Sequence, residues 1–234
     1  MLKRITTIKH DVTVIQQCLK AQGYYLAKTE QSCAAEELNA LVDALGGAWQ
    51  QVKALEITPF ENARFIAQTT EAIPPHNECA YTAQPPRYLL LYCQQNSVNG
   101  GDFYLVDSAV IISEFSEPVI SLLYHSHFDC FIDAANPQQV SLLRQGTDGF
   151  YLQYSCIGHS EDWLENSSYA PITPLYSGYE QIIPFLQHYL RQEALRQRHS
   201  WQAGDLLIFD NQRFLHGRDA FIGSGRHLNH IRIA

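Results

Sequence analysis

The chain has 234 residues, 46% of them hydrophobic and 12% aromatic, enough for one large folded domain and too apolar for a disordered or low-complexity chain. Sixteen Lys and Arg against 24 Asp and Glu leave a net charge of −8, which argues against a broad basic surface for nucleic acid or anionic membrane. The longest apolar runs are about six residues, far short of the roughly 20 of a membrane span, and the basic start MLKRITTIKHD lacks a secretory apolar core, so a soluble cytoplasmic protein is expected.

Residues 11–21 are predicted as a helix ending at Gly23, followed by a short strand over 24–27. Ser32 is placed as the cap of a second helix reaching Gly46-Gly47, with Leu38, Leu41, Val42 and Leu45 as one buried stripe. Beyond residue 70 the texture turns to strand: 87–93 reads as a buried strand, and Asn99-Gly100-Gly101 as a tight turn into another over 103–106. Asp107 or Ser108 caps a short helix over 108–116, and 124–133 and 149–157 are strand-like, with His125 and His127 on one strand face. The aperiodic stretch 158–178, with Trp163, is assigned to a loop or lid. The longest helix is predicted over 179–199, with Ile182, Ile183, Leu186, Leu190 and Leu195 mostly on one side. Gly204 opens a strand over Asp205–Asp210, and 226–233 supplies the last one. Two helical elements followed by many short strands predict an α+β, mainly β fold, a sandwich or barrel with helices outside. The six cysteines, at 18, 33, 79, 93, 130 and 156, form no CxxC pair and are expected as buried, reduced thiols.

Three places hold polar residues that a plain core does not need. In an extended His76-Asn77-Glu78 the imidazole and carboxylate share one face and offer two cis ligands to a divalent metal. His216, just beyond the apolar strand 206–209, completes a two-histidine, one-carboxylate set of the kind that suits non-haem Fe(II) with O₂. Zinc more usually takes four protein ligands, or three and a water. Arg226, ten residues further on, has the planar fork that holds a carboxylate bidentately. Taken singly, each has a plainer reading: a surface polar pair, a hydrogen-bonded core histidine, a strand arginine.

The stretches 73–81 (IPPHNECAY), 99–102 (NGGD), 204–211 (GDLLIFDN), 215–221 (LHGRDAF) and 225–228 (GRHL) occur in order. Together, over roughly residues 20–234, they resemble the taurine-dioxygenase-like (TauD/TfdA-type) Fe(II)/2-oxoglutarate-dependent oxygenases, in an HxE form similar to clavaminate synthase-like enzymes. The resemblance implies a double-stranded β-helix (jelly-roll) core over about 71–234, with a helical N-terminal part, about 1–70, packed on it in a single domain. It implies iron held by His76, Glu78 and His216, 2-oxoglutarate anchored by Arg226, and O₂ as the oxidant, with the cosubstrate decarboxylated to succinate. The expected reaction is hydroxylation of an unactivated carbon in a small polar metabolite, an amino acid or amino-acid derivative, unattached or carrier-bound. Desaturation, cyclisation and oxidative decarboxylation are the alternative outcomes, and Glu78 disfavours halogenation. Arg218 and Asn211 are expected to brace the loop carrying His216, and His227 to face away from Arg226.

Two positions depart from the family pattern. Phe103 stands where relatives place a Thr that also bonds the cosubstrate's distal carboxylate. His230 stands where many carry a second Arg, with Arg232 two residues on, so His230, Arg232 and Tyr81 are the candidate substrate contacts. Phe103 also keeps open a rival class, a metal-binding jelly-roll protein without turnover; a zinc hydrolase is a third reading.

Overall fold

The computed structural model describes residues 1–6, 10–28, 33–48, 50, 55–59, 66–80, 82–130, 138–146, 149–155, 173–174 and 179–234. Ten strands build two sheets: β1 (Ile5–Thr6), β2 (Tyr24–Lys28), β3 (Leu55–Ile57), β4 (Ile73–His76), β5 (Tyr88–Asn96), β6 (Phe103–Asp107), β7 (Arg196–His199), β8 (Asp205–Asp210), β9 (Phe214–Arg218) and β10 (Arg226–Ile233). The larger sheet has the order β1-β2-β8-β5-β10-β3 and the smaller β7-β6-β9-β4. Every pairing within them is antiparallel except β1 with β2. The helices are α1 (Val12–Gln22), α2 (Ala35–Ala44), α3 (Ser108–Ser113), α4 (Glu117–His125) and α5 (Tyr179–Leu190).

The two sheets form a jelly-roll sandwich because the central strands are apolar on both faces. Leu89, Leu91, Cys93, Leu207, Phe209 and Leu228 of the larger sheet pack on Phe103, Leu105 and Phe214 of the smaller, with Trp201 among them. The opposite face of the larger sheet, with Leu90, Tyr92, Leu206, Ile208, Ile231 and Ile233, is covered by Ile15 and Leu19 of α1 and the Leu38, Leu41, Val42 and Leu45 stripe. A strand covered on both sides reads as a continuous apolar run instead of an alternation, which is why Asp205–Asp210 and 87–93 stand out in the sequence. The outer face of the smaller sheet packs through Tyr104, Val106 and Leu215 against Ile111 and Ile112 of α3, Leu123 of α4, and Leu186 and Leu190 of α5. Helix α1 starts where the Asp11 side chain accepts from the Thr13 N–H at 2.8 Å, and stops at Gly23, whose φ of +80° is left-handed.

Several predicted elements differ. Helix α2 starts at Ala35, and the Ala34 N–H donates to the Glu37 carboxylate at 3.1 Å; Ser32 lies outside the described residues. The helix over 108–116 stops at Ser113 and a second one, α4, follows. His125 therefore ends a helix while His127 opens a strand, His127–Cys130, so they share no strand face. The long helix over 179–199 stops at Leu190; Leu195 closes a short 3₁₀ turn, and 196–199 becomes β7 because β6 needs an edge partner. Asn99–Gly100 is itself paired, with Phe221–Ile222. Of the stretch 158–178, only Thr173–Pro174 is described, paired with His127–Cys130; Trp163 lies outside. The N-terminal part expected as helices also threads β1, β2 and β3 into the larger sheet. Cys18, Cys33, Cys79 and Cys93 are thiols, and burial pushes Cys33 and Cys93 up to about 12.

Candidate metal and cosubstrate site

His76 is the last residue of β4 and lies directly opposite His216 of β9 in the strand register, their rings 4.2 Å apart. The strand ends there, so Glu78 comes to the pair from a turn and not from the extended segment that its spacing suggested. Its neighbour Cys79 has φ +54°, a left-handed conformation rare for a non-glycine residue, and that bend turns the chain directly after the carboxylate. One donor atom each from His76, Glu78 and His216 lie within 4.8 Å of one another.

The protonation states suit a metal. His76 Nδ1 is 3.0 Å from the Pro74 carbonyl, which can only accept, so the proton sits on Nδ1 and the Nε2 lone pair faces Glu78 Oε2 at 3.9 Å. Burial lowers His76 and lowers His216 well below the usual imidazole range, so both are neutral near pH 7. Burial pushes the Glu78 carboxyl up, but its charge interactions with His230, Arg232, His76 and His216, groups that are or become cationic as pH falls, outweigh it and hold the group down to about 2. Two neutral imidazoles and one carboxylate are a donor set that fits a divalent transition metal.

Two side-chain amides fix the turn that carries Glu78 to the β8–β9 connection that leads to His216. Asn77 Nδ2 donates to the carbonyls of Asn211 at 2.7 Å and Phe214 at 3.2 Å, while its Oδ1 accepts from the Tyr154 N–H at 2.9 Å. Asn211 answers across the gap: its Oδ1 accepts from the Glu78 N–H at 2.8 Å and its Nδ2 donates to the Glu78 carbonyl at 3.1 Å. Asn211 thus has the bracing role expected of it. Arg218 braces a different segment, donating to the carbonyls of Ala67, Thr69 and Glu71 ahead of β4.

Arg226 opens β10 and is 3% exposed. Its Nη1 donates to the Gly101 carbonyl at 2.8 Å, its guanidinium lies over the Phe221 ring, and its Nε is buried with no partner. No carboxylate pairs with it among the described residues, and burial lowers it to about 10, still charged at neutral pH. The Gly-Gly in Asn99-Gly100-Gly101-Asp102 makes room for it: a Cβ on Gly101 would sit 2.8 Å from Arg226 Nη1. A buried cation lacking an anion is a fit for a ligand carboxylate. Phe103 offers no hydroxyl and instead stacks on His216 at 5.9 Å.

Alternation along β10 turns Leu228, His230 and Arg232 to the sandwich interior, and the register shift opposite His227 and Leu228 leaves the extra residue, Gln94, on β5. His227 faces outward, with Nε2 3.9 Å from Glu56 Oε2. His230 is buried with Nδ1 unpartnered, and burial brings it down to about 4. Arg232 was expected at the substrate, but its guanidinium lies on the Glu78 carboxylate. Tyr81 lies outside the described residues. Sequence reasoning missed the part played by Asn77; an amide set between two ligands was the available hint.

A jelly roll whose facing strands bring two histidines and a carboxylate together, with a buried arginine on the neighbouring sheet, defines the class of non-haem metal oxygenases. The profile of the "Taurine catabolism dioxygenase TauD, TfdA family" matches residues 6–125 and 164–232, and the chain belongs to that family of Fe(II)- and 2-oxoglutarate-dependent oxygenases. It is 25% identical over 214 residues to the 3-((Z)-2-isocyanoethenyl)-1H-indole synthase of Fischerella ambigua, covering 85% of this chain and 77% of that protein. To human γ-butyrobetaine dioxygenase it is 20% identical over 169 residues, 68% of this chain but only 43% of the relative. An asparagine oxygenase solved with Fe(II), 3-hydroxyasparagine and succinate superposes with a TM-score of 0.74 over 95% of this chain and 78% of that one; at 14% identity the likeness is one of fold.

Proposed function

We propose that His76, Glu78 and His216 hold Fe(II), and that Arg226 binds the distal carboxylate of 2-oxoglutarate, in a single catalytic domain spanning the chain and working in the cytoplasm. The substrate is a small polar metabolite, an amino acid or amino-acid derivative, hydroxylated at an unactivated carbon. The carrying observation is the meeting of the three donors on β4, its following turn and β9 while Arg226, buried and lacking an anion, stands on β10. Bound iron, with O₂ and 2-oxoglutarate, supplies the oxidising chemistry. The chain supplies the rest. Asn77 and Asn211 orient the ligand-bearing turn, Arg226 fixes the cosubstrate end, and Phe103, Phe209 and Trp201 make an apolar wall that excludes water beside His216.

Desaturation is the second reading, favoured by the Fischerella relative, whose named product carries an isocyanoethenyl group on an indole. Anaerobic Fe(II) with 2-oxoglutarate should give a weak visible charge-transfer band. Succinate should then form on aeration with a member of an amino-acid and N-modified amino-acid panel. Absence of both would sink the reading. Arg226→Ala should raise the 2-oxoglutarate requirement steeply, by losing a charge-assisted pair; an unchanged requirement would mean another residue is the anchor.

A further inference from the structure

Glu78 has two oxygens, and the structure divides them. Oε1 takes both Arg232 Nε, at 2.7 Å, and Arg232 Nη2. Oε2 is the oxygen turned to His76, 3.9 Å from its Nε2. This is not the common fork-on-fork pairing, in which a guanidinium engages both carboxylate oxygens and neither remains open. Arg232 reaches Glu78 from the larger sheet, on the inward face of β10 beyond His230, whereas Glu78 is held through its backbone to Asn211 in the turn between β8 and β9. The side chain is thus gripped at its far end by β10 of the larger sheet, while the turn joining the two sheets fixes its main chain.

We infer that Arg232 is the positioning residue of the metal-binding carboxylate, holding Oε1 so that Glu78 presents Oε2 alone. The inference rests on the His76, Glu78 and His216 reading. It also makes Arg232 part of the metal centre, not a substrate anchor. Arg232 is the guanidinium in direct contact with Glu78, a cation whose charge does not titrate near neutrality. Two effects then compete: a nearby cation repels a metal ion, while a fixed carboxylate favours it. Fixation is expected to win, since hydrogen-bond partners of metal ligands typically contribute 10- to 100-fold in affinity.

The test is anaerobic Co(II) titration of the metal-free full chain without 2-oxoglutarate, followed through the visible d–d bands. Arg232→Met should bind Co(II) about 10- to 100-fold more weakly, with altered band position and intensity, as the released carboxylate turns. Arg232→Lys should recover part of the affinity, since it restores the charge but not the two-nitrogen grip. Circular dichroism and melting of the metal-free variants show that they fold; if Arg232→Met does not, Arg232→Gln is read in its place. His76→Ala tests the underlying reading in parallel. If it loses Co(II) while Arg232→Met keeps wild-type affinity and spectrum, or binds more tightly, the role of Arg232 is overturned and the ligand set stands. If His76→Ala binds like wild type, the ligand set itself is wrong.

Discussion

Asn77 shows what a side chain between two ligands contributes. Its amide satisfies the carbonyls of Asn211 and Phe214 and the N–H of Tyr154, all three within 3.2 Å. Asn77→Ala would strand these buried groups, at about 1–3 kcal/mol for each one that water does not reach. The expected outcome is a lower urea midpoint together with weaker metal binding, because the turn carrying Glu78 loses its tie to the β8–β9 connection. A variant that loses stability but binds metal as before would show that Asn77 supports the fold and not the site. The sequence makes His76, Glu78, His216 and Arg226 legible because metal and carboxylate chemistry restricts the residue types and their order. It does not make Asn77 legible, since an amide reaching across 134 residues leaves no periodic trace. Nor does it reveal that Arg232 meets Glu78: alternation places the side chain inward, while its partner is set by how the two sheets face each other.

The helices and strands differ in how far local pattern decides them. Strand β8 was readable to the residue, because a central strand is apolar throughout, and the Leu38 to Leu45 stripe because a helix on a sheet must bury one side. The segment 191–199 was misread. Its helix-forming residues are overridden by the exposed edge of β6, which Arg196–His199 completes in register from Val106 to Phe103. What holds β7 to the head of β8 is Asp205, fully buried. Its Oδ2 accepts from Arg4 Nη2 at 2.7 Å and from the Gln202 N–H at 2.8 Å, and lies 3.0 Å from His199 Nε2. Asp205→Ala should cost roughly 2–4 kcal/mol. That is below the 3–5 kcal/mol of a fully buried pair, because Arg4 is partly exposed and can rehydrate. Chemical denaturation measures the loss. Proteolysis should find the 196–204 connection first, and a variant of wild-type stability would remove Asp205 from this role.

At the scale of the molecule, the proposed metal ligands join parts of the chain about 140 residues apart, a loop whose closure is costly for an unfolded chain. Yet β4 and β9 are also joined by backbone pairing, and three apolar clusters form the core of the fold. The metal-free protein should therefore stay folded, with metal adding stability and not creating it. The size of the addition follows from linkage: a metal at about 100 times its dissociation constant stabilises by roughly 2.7 kcal/mol. For a chain of this length that raises the melting temperature by about 5–10 °C. Mn(II) under anaerobic conditions is a redox-quiet probe for this measurement. The net charge of −8 will also attract Mn(II) non-specifically, so the comparison that decides is His216→Ala. It keeps every acidic side chain and removes one imidazole from the cluster. Its melting temperature should rise little with Mn(II), whereas wild type should rise with the logarithm of Mn(II) concentration. Equal shifts in both proteins would trace the effect to surface charge. A chelated wild type already unfolded at 25 °C would mean that the ligands, and not the sheets, close the fold.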